Sequence, residues 1–174
     1  MNVRIKQAIL AYSRKIIETQ KSNYLAPFTP TCDEAISYAL HMMDIQNTDV
    51  LCDIGCGDGR VCVKAAILNG IKCIGIEYNT QIYERGLNLV RENKVSNLVT
   101  LLNVDFLTYN IIDTDITIIF IYLLPIGISK IKNKLLDIFN SRSIKICSFG
   151  FSIPGMKSTK IKIIHGMKLY LYQS

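Results

Sequence analysis

Five short apolar runs alternate along this chain with segments of helical period, and that alternation limits the folds open to it more than any other feature. The runs are VLCDIG (50–55), IKCIGIE (71–77), LVTLLNVD (98–105), DITIIFIYLL (115–124) and SIKICSFG (143–150). Between them the spacing predicts helices over about 60–68, closed by Asn69 and Gly70, over 80–95 and over 128–140. A further helix is expected from residue 31. There Thr31 and Glu34 stand at capping-box spacing, and Ala35, Ile36, Ala39, Leu40 and Met43 share one face. Strands that alternate with helices and are apolar almost throughout belong to a parallel sheet covered on both faces. The pattern changes at the end: KIKIIH and MKLYLYQ, joined across His165 and Gly166, read as an antiparallel hairpin. The expected fold is therefore α/β: a doubly wound, mostly parallel, seven-stranded sheet that ends in an antiparallel hairpin.

The chain's 174 residues suit a single domain over 1–174. We read residues 1–26 as a helical extension and 27–174 as the core. Residues 2–20 alternate apolar and basic positions at helical spacing, a pattern also shared by mitochondrial presequences. The longest apolar runs are about ten residues, half of what a membrane-spanning helix needs. Cys32, Cys52, Cys56, Cys62, Cys73 and Cys147 show no paired C-x-x-C spacing and no neighbouring histidine, so no metal site is expected. They read as small buried hydrophobes and reduced thiols. That points to the cytoplasm, with the mitochondrion as the alternative. His41 and His165 are the two histidines, which leaves histidine-based catalysis little to draw on. The net charge of +6 permits an anionic partner. The lysine clusters at 130, 132 and 134 and at 157, 160 and 162 read as solvated faces.

In an open parallel sheet, ligands bind beyond the C-terminal ends of the strands. The loop after the first run, DIGCGDGR, lies there. Its glycines, Gly55, Gly57 and Gly59, are two apart, and Arg60 stands where a dinucleotide loop would carry its third glycine. No G-K-[ST] follows either. The loop also opens on an acid, and a carboxylate repels phosphate but attracts an ammonium group. Glu77 ends the second run, placed to accept from both hydroxyls of a ribose. Asp105 ends the third, placed to accept from an exocyclic amine while Phe106 stacks on adenine. An ammonium, a ribose and an adenine together describe S-adenosylmethionine.

With DIGCGDGR, GIEYN, VDF and the closing hairpin, the chain resembles the class I, Rossmann-like S-adenosylmethionine-dependent methyltransferases over roughly residues 27–174. With PFTPT before the first core helix and IYLLP after the fourth strand, it resembles more narrowly the ATP synthase c-subunit lysine methyltransferase group and related small bacterial enzymes. The resemblance implies that Asp53, Gly55, Gly57, Asp58 and Gly59 line the methionine moiety. It assigns Glu77, in GIEYN with Tyr78 and Asn79, to the ribose, and Asp105 with Phe106 to the adenine. It folds Phe28, Thr29 and Thr31 over the cofactor. The eukaryotic mitochondrial members carry a membrane-anchoring segment that has no counterpart in this sequence.

Tyr122, Leu123, Leu124 and Pro125 stand where these enzymes place their substrate motif and are the candidates for the acceptor channel. No general base is apparent among them. They do not form the [DNS]-P-P-[YF] motif that holds the planar amino group of a nucleic-acid base. A protein lysine side chain is the expected acceptor. The alternatives are RNA, a small molecule, or a non-catalytic binding role. Nucleic acid as a partner is possible but not favoured, and the oligomeric state is open.

Overall fold

The computed structural model describes residues 28–111 and 114–174, so the helix expected over 2–20 lies outside the described residues. In chain order the elements are α1 (Asp33–Met42), β1 (Val50–Ile54), α2 (Arg60–Asn69), β2 (Lys72–Ile76), α3 (Thr80–Glu92), β3 (Val99–Leu102), β4 (Ile118–Ile121), α4 (Pro125–Ser141), β5 (Lys145–Gly150), β6 (Lys160–Ile164) and β7 (Met167–Gln173). The strands form one sheet in the order β3-β2-β1-β4-β5-β7-β6. β1 to β5 are parallel, and β7 runs antiparallel between β5 and β6. The doubly wound seven-stranded sheet with its closing hairpin is as the alternation predicts.

The sheet separates two cores. Leu51, Ile118, Phe120, Cys147 and Phe149 face α1, α2 and α3. Their neighbours Cys52, Ile54, Ile119, Ile121 and Ile146 face α4, which contributes Ile128, Ile131, Leu135 and Ile138. Two-sided burial is why these strands are apolar almost throughout instead of alternating. The strand order reverses between β1 and β4, so the crevice of a doubly wound sheet opens beyond their C-terminal ends.

Several boundaries differ from the sequence expectation. The cap of α1 is Cys32, with no side-chain hydrogen bond. Thr31 lies one residue too early for a capping box and is buried, while Glu34 pairs with His165. β3 stops at Leu102 because Asn103 turns its amide to the carbonyls of Glu77 and Tyr78 and accepts from Thr80. That stitches the β2–α3 connection and pulls the chain out of the ladder before Asp105. β4 ends at Ile121. Leu124 is extended ahead of a proline, and Pro125 opens α4 three residues earlier than expected, its fixed φ suited to the first helical position. Five of the cysteines are buried and free, but Cys32 is exposed. The hairpin turn holds positive φ at both His165 and Gly166, as two-residue hairpins require. Among the described residues no helix is long and apolar enough to cross a membrane.

Candidate active site

A cleft opens beyond the ends of β1, β2 and β4, open to solvent on one side and lined by Asp53, Glu77, Asp105, Tyr122 and Leu123 among others. Its floor is the loop after β1. Gly55 and Cys56 both donate to the Ile76 carbonyl, at 2.9 and 3.0 Å, so the loop stays anchored to the end of β2. Gly57 donates to Glu77 Oε2 at 2.9 Å, and Asn79 to Oε1 at 2.8 Å. Each Glu77 oxygen thus accepts one backbone N–H and keeps a further lone pair for a hydroxyl. Burial holds the Glu77 carboxyl above its ordinary range, against the pull of those amides.

Asp53 is 2% exposed, on the face of β1 toward α1 to α3, and lines the cleft. Among the described residues no group donates to its carboxylate, while Asp58 is held by Arg60 at 2.6 Å. Burial, followed by the fields of Glu77 and Asp58, raises Asp53 well above the usual carboxylate range. A buried carboxylate without a donor, facing a cleft, fits an incoming ammonium group.

The segment Phe28–Thr31 straps the loop from above. The Phe28 ring lies so close to Gly57 that a Cβ there would come within 2.5 Å of it, and Gly57 has φ +58. Arg60 extends Nη1 to the Thr31 carbonyl at 3.5 Å. Phe28, Thr29 and Thr31 all line the cleft. From below, α3 approaches at Gly86, where a Cβ would meet the Asp58 carbonyl at 3.2 Å. A side chain there would have to displace Leu101 Cδ1, at 2.7 Å, and press on the loop backbone.

On the β3 side, Asp105 and Phe106 line the cleft beyond the strand's end. One Asp105 oxygen accepts from the Leu107 amide at 2.9 Å. Phe106 is buried, and Lys134 from α4 lies over its ring at 4.5 Å. The Lys134 ammonium donates to the carbonyls of Phe106, Leu107 and Tyr109, and burial lowers its affinity for the proton. The lysine at 134 is therefore no solvated-face residue but a clamp on the 105–109 loop.

The remaining wall comes from Tyr122 and Leu123. Leu123 packs against Gly55, where a Cβ would lie 2.8 Å from its Cδ2. Tyr122 stacks tilted on Phe149, ring centroids 4.9 Å apart, and points its hydroxyl at the Met167 sulfur at 3.8 Å. Burial raises its phenol above the ordinary value.

Not every sequence candidate reaches the cleft. Gly59 is the left-handed cap of α2, packed on Leu101. Asn79 caps α3 by accepting from the Ile82 amide. Leu124 and Pro125 have turned into α4, with Pro125 exposed, so this wall of the cleft ends at Leu123. Tyr78 lines the rim, half exposed. Arg60 and Lys134 were missed because their roles are non-local. The available signals were the Asp58–Arg60 spacing and the place of Lys134 beside the Ile131–Leu135–Ile138 stripe. Among the described residues no group of three or more His, Cys, Asp or Glu side chains could hold a metal.

The family model described as the ANTKMT methyltransferase domain matches residues 53–160, more than half of the chain. A protein-lysine N-methyltransferase of Saccharolobus islandicus is 27% identical over 151 residues, covering 84% of this chain and 92% of that protein. An RNA methyltransferase from Salinibacter ruber, solved with S-adenosyl-L-homocysteine, superposes with a TM-score of 0.78 at 26% identity, covering 83% of this chain and 93% of that one. The precorrin-6y C5,15-methyltransferase of Geobacter metallireducens shares the fold, with a TM-score of 0.68 at 17% identity and coverage of 87% and 92%. With the acid-lined cleft at the switch point, these matches place the chain in the ANTKMT methyltransferase domain family, as a class I S-adenosylmethionine-dependent methyltransferase.

Proposed function

We propose that the methyl acceptor is a lysine side chain of a protein. The observation that carries this reading is the wall at the end of β4. Leu123 is buried, and the Tyr122 hydroxyl is turned to a sulfur, so the wall lacks the paired polar groups that would hold a planar amino group of a base. An apolar wall disfavours the charged ammonium form of lysine, whose reference pKa is about 10.4, and so favours the neutral nucleophile. The 27% identical relative described as a protein-lysine N-methyltransferase supports the same acceptor.

S-adenosylmethionine, when bound, supplies a methyl group on a sulfonium that leaves readily. The chain's residues then have two tasks: to orient and to exclude water. In this reading Asp53 binds the amino-acid ammonium, Glu77 accepts from the ribose, and Asp105 accepts from the adenine amine. Phe28, Thr29 and Thr31 cover the site, and Asp58 with Arg60 holds the cover to the loop. Tyr122 and Leu123 line the acceptor's approach.

Incubation with labelled cofactor and a cell lysate, followed by acid hydrolysis, should yield methyl-lysine; label found in other products alone would overturn the lysine reading. RNA is the second reading, favoured by the similarity to the Salinibacter ruber RNA methyltransferase. Loss of the label on ribonuclease treatment would select it.

A further inference from the structure

β6 closes the sheet: one side pairs with β7, and no strand covers the other among the described residues. Four of its five residues are exposed. Register divides them by chemistry. Ile161 and Ile163, 54% and 62% exposed, share a face with Tyr170 and Lys168, while Lys160 and Lys162 share the opposite face with Leu171 and Leu169. The edge therefore alternates lysine and isoleucine beside an open row of backbone N–H and C=O groups.

The charge along it is mainly positive, with Glu34 of α1 paired to His165 at the hairpin turn as the acid at its end. After Asp137 the sequence holds Arg142, Lys145, Lys157, Lys160, Lys162 and Lys168 and no acid. Arg142 and Lys145 donate to carbonyls of the body, those of Thr114 and Ile111 and those of Met43 and Asp44. Lys157, Lys160, Lys162 and Lys168 are exposed, with Lys162 over the Tyr38 ring at 5.6 Å. A second copy of β6 is a poor occupant, since antiparallel pairing about Lys162 sets that residue against itself, and like charges directly opposite destabilise a pair. An acidic–apolar strand complements both faces and the backbone edge at once.

We propose that β6 is a docking edge for an extended segment of alternating acidic and apolar residues in a protein partner, added as an eighth strand. Resting on the lysine reading above, that partner is the methyl acceptor. β6 runs parallel to β1 and β4, so its Ile164 end lies at the cleft's end of the sheet, where Met167 meets Tyr122. A docked strand is four strand spacings from β4, about 19 Å. An extended chain covers that in about six residues. The modified lysine should therefore lie about six or more residues from the docked segment.

The test uses the full chain and fluorescein-labelled synthetic peptides in fluorescence anisotropy. One peptide alternates Glu and Val over seven residues. The second has the same composition in two blocks, and the third is the first with alternate backbone nitrogens methylated. The alternating peptide should bind, and both controls should bind at least about fivefold more weakly. Lys160→Glu with Lys162→Glu should weaken the alternating peptide by a similar factor while calorimetric affinity for S-adenosylmethionine stays unchanged. Equal binding of the block peptide, preference for an RNA oligonucleotide, or no peptide binding with the lysines acting as an edge guard only, would each overturn the proposal. Extending the alternating peptide by six residues to a lysine separates the two readings. Docking without methyl-lysine refutes the acceptor and keeps the edge, whereas methyl-lysine formed equally in the block peptide does the reverse.

Discussion

Gly57→Ala probes the contact on which the cover of the cleft depends. The substitution adds one methyl group at φ +58, where an L-residue costs about 1–2 kcal/mol. That methyl would sit 2.5 Å from Phe28 Cε2 and 2.8 Å from Cδ2, against an ordinary carbon contact of about 3.5–4 Å. The ring must therefore move by roughly 1 Å. The backbone term alone should lower Tm by about 2–6 °C in a chain of this size. Displacing Phe28 should weaken S-adenosylmethionine by about tenfold, for roughly 1.4 kcal/mol of lost cover. A double-mutant cycle with Phe28→Ala separates the two. Without the ring the steric part vanishes, so Gly57→Ala should leave cofactor affinity almost unchanged in that background. The cycle should show a coupling of about 1 kcal/mol, measured by calorimetry and thermal melts. A Gly57→Ala penalty on affinity that is the same in both backgrounds would refute the strap.

Asp53→Asn should stabilise the ligand-free protein and weaken the cofactor about tenfold or more, the loss of a charge-assisted hydrogen bond. Because burial raises the Asp53 carboxyl, its folded-state contribution is full below the unfolded value of about 3.9 and is lost as pH rises through the folded value. The Tm advantage of Asp53→Asn over the parent should thus grow with pH above about 4; a constant or shrinking difference contradicts the assignment. Lys134→Met, which releases three carbonyls of the 105–109 loop, should raise KM for S-adenosylmethionine about tenfold with a smaller change in kcat. Equal losses in both would move its role to the transition state. Tyr122→Phe removes a hydroxyl bonded to a sulfur and should keep kcat within about threefold; a hundredfold loss would make that hydroxyl a participant in the chemistry.

Much of the site was legible in one dimension because its signals are local. A glycine loop after a buried run and an acid at the end of each of two strands both depend on neighbours within a few residues. Asp53, Gly55, Gly57 and Glu77 stand together at the floor of the cleft for that reason. The wall was misjudged by two residues. Nothing in IYLLP itself says whether Leu124 and Pro125 stay with the strand or start the helix, and the helix wins once Ile128 and Ile131 have a core to enter. Lys134 was misread for the same kind of reason. Its periodicity marks the border of a helix face, and only the approach of the 105–109 loop turns it into a clamp.

By itself the sequence determined the class of the fold, the place of the cleft and the sign of its charge, because hydrophobic period, glycine and carboxylates act over short stretches of chain. Tertiary structure decided what depends on distant segments meeting. Phe28 covers Gly57, and Arg60 reaches the strap. β7 rather than β6 lies against β5, because Leu169, Leu171 and Tyr172 demand burial on both faces while Lys160 to Ile163 tolerate an edge. Those outcomes follow from which faces can be buried together, a property of the assembled sheet and not of any one segment.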